Sequence, residues 1–213
     1  MTHRYWPMFD VRLSTPDLEL RPTTEADQMS LAELLPDDVE LDPAATRYAV
    51  DDERTSRGIV IFQSYWNAYG TWSVDHWRLN FAVFGAGELI GLQELEGTDF
   101  PVLRTVDTSS FLVLAARGRG LGKQMRGAVL ALAFGPMGAQ AAITSAWADN
   151  HASLGVSRAL GYRPNGVALH RHERGGVATM VHLRLTRDDW LAGGFADQVN
   201  VTGFEPCRPL FGL

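Results

Sequence analysis

The sequence has little cysteine and no long uninterrupted apolar run. Its 213 residues include one cysteine, Cys207, so no disulfide can form within the chain, and this usage is typical of a reducing compartment. The first residues, MTHRYWPMFDVRLSTPD, lack the basic-then-apolar pattern of a secretory signal. The longest apolar region, AVLALAFGPMGAQAAI, is too interrupted by glycine and proline for a membrane span. We therefore expect a cytoplasmic protein with no membrane contact.

Positive charge and metal-binding patterns are also scarce. Lys and Arg number 19 against 25 Asp and Glu, a net charge of −6, which argues against a nucleic-acid partner. Of the six histidines only His170 and His172 are close together, and no further histidine, cysteine or carboxylate completes a metal-binding pattern, so we expect no metal. The hydrophobic fraction of 46% is enough for a packed core.

The periodicity predicts one mixed domain over residues 1–192 and a tail over 193–213. Strand patterns lie at 18–21, 107–114 and 141–147, with hairpins around Gly85-Ala86-Gly87 and Gly175-Gly176. Helical patterns lie at 24–35, 54–69, 121–134 and 150–160, and TRDDW starts a short last helix. Because most strands pair as hairpins, we predict an α/β (α+β) fold with a mixed, mainly antiparallel sheet.

Two details of these elements are open to a direct check. The helix over 54–69 is predicted to place Ile59, Phe62, Trp66 and Tyr69 on one face. The tail, rich in glycine, proline and phenylalanine, is suited to packing on the domain or on a partner subunit.

The stretch ARGRGLGKQ, between a predicted strand and a predicted helix, is a candidate phosphate site. It is not a P-loop, because Arg117 stands at the first glycine position and Gln124 replaces the Ser or Thr that would hold magnesium. It is not a dinucleotide loop, because Lys123 stands where the third glycine is needed. It fits the pattern [RQ]-x-x-G-x-[GA], with Arg117, Gly120 and Gly122.

In physical terms, this loop can form a metal-free nest for a pyrophosphate. Its glycines let successive N–H groups converge, and the positive end of the following helix adds to the field. Three basic side chains can neutralise phosphate charge: Arg117, Arg119 and Lys123. The alternative is an ordinary glycine-rich turn with solvated basic residues.

A second motif follows, Asn150-x-x-Ser153 and then Leu160-Gly161-Tyr162. Together with the glycine loop it resembles the GNAT superfamily of acyl-CoA N-acyltransferases, over roughly residues 18–190. The stretches LELRPTTEAD and VHLRLTRDDW resemble its RimL/RimJ branch, which acylates protein N-termini and some small amines. More loosely, WPMFD, DFPVLRTVD and LTRDDW are similar to a bacterial succinyl-CoA-dependent member of that branch. The resemblance implies a splayed parallel strand pair and helices on both faces of the sheet.

The resemblance also implies roles for particular residues. Asp107, ten residues before Arg117, stands where some branch members have a glutamate and is the candidate base, acting through water. Ser153 is expected near the leaving sulfur, and an N–H near Leu112 or Val113 is expected to polarise the thioester carbonyl. The residues implied to bind CoA are Phe111, Leu112, Val113, Arg117, Gly118, Arg119, Gly120, Leu121, Gly122, Lys123, Asn150 and Ser153.

Several alternatives stay open. Asp107 also fits a loop start, and Asn150 with Ser153 also fits a plain helix cap. Ser110 stands where branch members often have tyrosine, which changes the expected acceptor pocket. Acetyl-CoA is the default donor and succinyl-CoA a serious option, for which the candidate partners of the distal carboxylate are Arg78, Arg104, His151 and His172.

The expected acceptor is a primary amine, on a protein N-terminus, a lysine or a small molecule. We expect a homodimer or higher homo-oligomer, as is frequent in the branch. A function of another class is a CoA-binding sensor or scaffold in which Asp107 and Ser153 are idle.

Overall fold

The computed structural model describes residues 3–39, 48, 50, 52–171 and 176–213. The strands are β1 Arg12–Ser14, β2 Leu18–Pro22, β3 His76–Gly85, β4 Glu88–Thr98, β5 Thr105–Leu112, β6 Ala141–Trp147, β7 Arg163–Arg171, β8 Val177–Thr186 and β9 Asn200–Thr202. The helices are α1 Glu25–Leu34, α2 Glu53–Gly70, α3 Phe100–Leu103, α4 Leu121–Phe134, α5 His151–Ala159 and α6 Arg187–Ala192. Within these ranges, no helix is long and apolar enough to cross a membrane.

The described strands form one sheet in the order β7-β8-β6-β5-β4-β3-β2-β1-β9. Neighbouring strands run antiparallel except β5 and β6, which are parallel. This confirms the predicted mixed, mainly antiparallel α/β fold. The parallel pairing begins at Thr105 with Ala141 and ends at Asp107 with Ile143, although β5 continues to Leu112 and β6 to Trp147. The two strands therefore part after Asp107 and leave a gap, which we call the splay.

Helices cover both faces of the sheet. Phe111 of β5 belongs to a small buried cluster with residues of α1 and α2, among them Leu31 and Ile61. Its neighbour Leu112 belongs to the main core with Met125 of α4. Because successive residues of a strand point to opposite faces, α1 and α2 lie on one side of β5 and α4 lies on the other.

The helix ends follow the capping chemistry of the sequence. Thr24 and Asp27 form a reciprocal capping box at the start of α1. Asn150 caps α5, its side chain accepting a hydrogen bond from the Ser153 N–H. After α5, Gly161 has φ of 93°, the left-handed conformation that glycine adopts without strain.

One predicted strand boundary is wrong. β5 ends at Leu112, not at residue 114, because the chain turns into a 3-10 segment over Leu114–Ala116. The buried side of α2 carries Val60, Ile61, Tyr65 and Ala68, whereas Trp66 is 52% exposed. The four residues predicted to share a face are distinct from these four buried residues. The turn predicted at Gly175 lies outside the described residues.

The C-terminal tail packs against its own domain. β9 pairs with β1, which adds an edge strand to the sheet. Phe195, Phe204, Cys207 and Phe211 are buried in the main core. The Trp72 indole N–H donates to the Leu210 carbonyl over 3.1 Å. The tail thus contributes large side chains to the core that holds α4 and β5 in place.

Candidate active site

Asp107 lies at the point where β5 and β6 part, opposite Glu96 on β4. Its Oδ1 accepts a hydrogen bond of 2.6 Å from the Thr108 N–H. Burial raises the pKa of Asp107 to about 6, and the negative charges of Glu96 and Glu94 act in the same direction against the Thr108 N–H and the Arg126 cation. A carboxyl that titrates near neutral pH is suited to general-base work.

The face of the sheet under α1 and α2 carries a row of acidic side chains. Glu96 and Glu94 of β4 lie opposite Asp107 and Ser109 of β5 and share their face. Arg78 on β3 pairs with Glu96, its Nε lying 3.0 Å from Oε2. Glu94 accepts a hydrogen bond from the Ser109 hydroxyl. The carboxylates of Glu94, Glu96 and Asp107 thus lie on a face with one arginine, Arg78. This face of the sheet therefore favours a cationic molecule.

The glycine loop has the backbone of an anion nest. Gly118 and Gly120 have φ of 73° and 79°, which only glycine adopts readily. No carbonyl or side chain in the described residues accepts a hydrogen bond from the N–H groups of residues 118–122. These groups stand at the N-terminus of α4, where the helix dipole also favours negative charge. The loop therefore presents unpaired donors to an anion.

Gly122 has a second role in packing. A Cβ there would lie 3.2 Å from Val156 of α5 and 3.9 Å from Leu112 of β5. The missing side chain lets α4 approach α5 closely beside the end of β5. The glycine pattern thus serves the helix contact as well as the loop.

The three basic side chains of the loop have different surroundings. Arg117 forms a two-pronged ion pair with Asp38, at 2.5 and 2.9 Å, and its Nε donates to the Leu112 carbonyl over 3.0 Å. The Lys123 ammonium lies 5.4 Å from the centre of the Phe195 ring. Arg119 is exposed and contacts no charged partner among the described residues. Of the three, Arg119 is the side chain most available to a phosphate.

Asn150 and Ser153 are brought together at the start of α5 as a helix cap. Asn150 Oδ1 accepts a hydrogen bond from the Ser153 N–H over 3.0 Å. This is the plain helix cap that was the alternative to a role in CoA binding. The Ser153 carbonyl accepts from the Ser157 hydroxyl over 3.0 Å. The contact of either residue with CoA stays a prediction.

Of the four cations considered for a succinyl carboxylate, the three that the structure describes lie on separate parts of the fold. Arg78 is on the acidic face and is paired with Glu96. Arg104, just before β5, packs over the Phe100 ring. His151 is exposed at the first residue of α5, and His172 lies outside the described residues.

Metal and thiol chemistry receive no support from the described part of the chain. Its His, Cys, Asp and Glu side chains form no group of three or more that could hold a metal ion. Burial raises the pKa of the Cys207 thiol to about 12, so this thiol is not a nucleophile near neutral pH.

Sequence reasoning missed two charged residues beside the site. Arg126 is a buried cation in α4, and an arginine inside the apolar run of MRGAVLALAF was a detectable signal. The sequence carries no comparable signal for Asp38, the partner of Arg117, because Asp38 is one of several acidic residues in a predicted loop. Its contact depends on how the connection after α1 meets the glycine loop.

A splayed parallel strand pair beside an anion nest is the arrangement that the resemblance to the GNAT superfamily implied. Residues 17–163, well over half of the chain, match the model of the acetyltransferase (GNAT) domain. The protein belongs to this family, as the resemblance implied.

Solved structures share the fold at low sequence identity. Mycobacterium smegmatis RimJ in complex with CoA-disulfide is 17% identical with a TM-score of 0.66, over 91% of this chain and 98% of that chain. A chimera of spermidine N-acetyltransferase SpeG from Vibrio cholerae and hSSAT is 16% identical with a TM-score of 0.64, over 82% of this chain and 98% of that chain. Likeness at this level supports the fold.

Proposed function

We propose that this protein transfers an acyl group from acyl-CoA to a primary amine in one direct step, with no acyl-enzyme. The observation that carries the proposal is the set of unpaired N–H groups at residues 118–122, placed beside the splay that opens after Asp107. A pyrophosphate on that loop directs the rest of the donor toward the splay. The CoA complex of the similar RimJ structure supports a CoA donor.

Asp107 is the proposed base, acting through water. Asp107 is the last residue of β5 that pairs with β6, so it lies where the splay begins. It shares a face of the sheet with Glu94 and Glu96. An ionised Asp107 accepts, through water, the proton that the ammonium must lose before its nitrogen can attack the thioester carbonyl. Because its pKa is about 6, it is ionised at neutral pH and still basic enough for this transfer.

The donor thioester is proposed to meet Leu112 and Ser153. The Val113 N–H is already bonded to the Ile90 carbonyl, over 2.9 Å. Because N–H groups alternate in direction along a strand, the Leu112 N–H points toward the open side and is the better candidate to polarise the carbonyl. Ser153, in the first turn of α5, is proposed to donate to the departing thiolate.

The acceptor is proposed to be a cationic primary amine, on a protein N-terminus, a lysine or a small molecule. The acidic row of Glu94, Glu96 and Asp107 supports this class, since it attracts an ammonium and holds it near the base. For the acyl group, acetyl is the default and succinyl the second candidate. Of the candidate cations for a succinyl carboxylate, Arg78 lies on this face.

The decisive experiment measures free CoA thiol from acetyl-CoA or succinyl-CoA with a panel of amines. Turnover with any pair supports the transferase, and the preferred donor should raise the melting temperature more at equal concentration. Asp107→Asn should then lower kcat about 100-fold or more and remove the acid limb of the pH profile near 6. Asp75→Asn, at an exposed aspartate outside the proposed site, is the control.

Tight CoA binding without turnover in any pair would favour the sensor or scaffold instead. An unchanged pH profile in Asp107→Asn would remove Asp107 from the mechanism while leaving the transferase in place.

Self-association and a cytoplasmic location are also proposed. The tail packs on its own domain, so it is a poor candidate for the interface between copies. The hairpin of β7 and β8 exposes Val167, Leu169 and Val177 instead. Sedimentation of the purified protein decides the oligomeric state.

A further inference from the structure

Arg117 lies between the glycine loop and the connection that follows α1. Its two terminal nitrogens bond to the Asp38 carboxylate over 2.5 and 2.9 Å, and its Nε donates to the Leu112 carbonyl over 3.0 Å. All three guanidinium nitrogens are therefore engaged within the protein. A two-pronged pair of this kind fixes the orientation of both side chains as well as their distance.

The Leu112 carbonyl places this contact at the mouth of the splay. The Val113 N–H bonds to the Ile90 carbonyl of β4 over 2.9 Å. Because these groups alternate in direction from one residue of a strand to the next, the Leu112 carbonyl points the other way, toward the open edge of β5. The Arg117 guanidinium therefore lies over that edge, on the path that the proposed donor takes from the loop into the splay.

Residues 36–39, which follow α1, are also held from the side of α2. Arg57 of α2 donates from Nη2 to the Pro36 carbonyl over 2.9 Å and to the Val39 carbonyl over 2.6 Å. The Val39 side chain packs against the small buried cluster that includes Phe111 of β5. This segment is thus bound to α2 on one side and to the glycine loop on the other.

The ion pair is too exposed to contribute much to the stability of the fold. The side chains of Arg117 and Asp38 are 33% and 56% exposed. Water screens such a pair, and both side chains lose rotamer freedom when it forms. What the pair supplies is a fixed geometry between two segments that are 79 positions apart in the chain. The pair stays formed near neutral pH, because its hydrogen bonds to Arg117 hold the pKa of Asp38 below its ordinary value.

We propose that Asp38 is a positioning residue of the active site: it holds Arg117 over the open edge of β5 and thereby fixes residues 36–39, at the end of α1, to the donor loop. Donor bound at the loop then restrains the segment on the acceptor side of the sheet. The inference rests on the proposed function for its catalytic meaning, whereas the link between the two segments is measurable without turnover.

The test compares Asp38→Asn, Arg117→Gln and the double variant in the full chain. Asp38→Glu keeps the carboxylate. Asp37→Asn is the matched control, because it removes the same charge from the same segment at an exposed residue that pairs with no group in the described part of the chain.

The first measurement is the protection of the Val39 amide against exchange with solvent. This N–H donates to the Pro36 carbonyl over 3.1 Å, within the segment itself. Its exchange rate is measured by NMR and divided into that of an unstructured peptide of the same sequence. Asp38→Asn and Arg117→Gln should each lower the protection about fivefold or more.

The other variants give the first measurement its specificity. The double variant should lower the protection no further, because each single change already breaks the same pair. Asp38→Glu should recover most of the protection, and Asp37→Asn should leave it unchanged. Saturating CoA should raise it in the wild type and should have no such effect in Arg117→Gln.

The second measurement separates amine binding from donor binding. Asp38→Asn removes a negative charge and Arg117→Gln a positive one, yet both should raise the KM of the amine about three- to tenfold, because both release the same segment. In Asp38→Asn the Kd of CoA should change by less than about twofold, and the melting temperature by about 2 °C or less. A general loss of structure would weaken both ligands together.

Unchanged protection of Val39 in both single variants would overturn the link, whatever happens to the rates. Amine KM values that move in opposite directions in Asp38→Asn and Arg117→Gln would indicate a charge effect and overturn the positioning role. A wild type without turnover with any amine, in which the protection of Val39 still depends on Asp38, would count against the proposed function alone.

Discussion

At the scale of single residues, the fold disfavours the ionised form of Asp107 and raises its pKa. Asp107 is half-buried and lies near two glutamates, and the buried Arg126 cation acts on it from the other side of the sheet. Neutral Asp107 is the form that the folded state prefers up to about pH 6, whereas an unfolded chain ionises it near pH 4. Stability from this group is therefore fully present below about pH 4 and is lost as the pH rises through about 6.

The first prediction follows from that sign. Asp107→Asn should be more stable than the wild type at pH 7.5 and should lose most of that advantage at pH 4. A shift of about two pH units corresponds to at most about 3 kcal/mol, measured as the free energy of unfolding in urea at both pH values. Asp75→Asn, at an exposed aspartate, is the control. An equal advantage at pH 4 and pH 7.5 would refute the raised pKa.

Sequence analysis could place Asp107 but could not predict its environment. Its spacing from Arg117 is visible in the chain. Its neighbours Glu94, Glu96 and Arg126 come from another strand and from the far side of the sheet, and their approach depends on strand register and helix packing. The same holds for Arg117, whose pairing with Asp38 joins residues 79 positions apart.

At the scale of elements, the glycine loop and α4 act as one unit. The positive φ values at Gly118 and Gly120 turn the backbone so that unpaired N–H groups gather at the start of the helix. A Cβ at Gly120 would meet nothing within 4 Å, so its absence is not required by packing. A glycine is needed at position 120 because the backbone there is left-handed and because a side chain would hinder the approach of an anion.

Gly120→Val should therefore weaken donor binding more than stability. We expect the Kd for CoA, measured by calorimetry, to rise at least about tenfold, because valine disfavours the left-handed conformation and covers the N–H groups. Gly166→Val is the matched control, since Gly166 also has positive φ and open space around its Cβ but lies on β7. An unchanged Kd in Gly120→Val would remove the loop as the donor site.

Local signals in the sequence located most elements well. Capping residues and apolar spacing gave α4 over 121–134 and β6 over 141–147 with the observed bounds. Aromatic side chains do not mark the buried face of α2, because Trp66 is 52% exposed. β1 and β9 have three residues each, too few for a period to appear.

At the scale of the whole molecule, the tail is part of the scaffold of the site. Phe195 packs onto α4 where Gly127 leaves room, and a Cβ at Gly127 would lie 2.0 Å from the Phe195 ring. The tail therefore bears on the helix that carries both the anion nest and Arg126. Nothing in the irregular sequence of the tail indicates that it packs against α4.

Gly127→Ala should destabilise the protein although alanine is the better helix former. We expect a loss of about 1–3 kcal/mol from overpacking against Phe195, measured by urea unfolding. Gly155→Ala in α5 is the control, because its Cβ would meet nothing within 4 Å, and it should gain up to about 1 kcal/mol. A gain in both variants would show that Phe195 does not dock on α4.

The burial of Cys207 has a practical consequence. Because this thiol is fully enclosed, a maleimide dye in solution has no native target in the folded protein, as if the chain had been made cysteine-free. A cysteine placed at the exposed Leu114, just before the glycine loop, would then be the sole labelled position. A fluorophore there would report the arrival of CoA at the loop in real time.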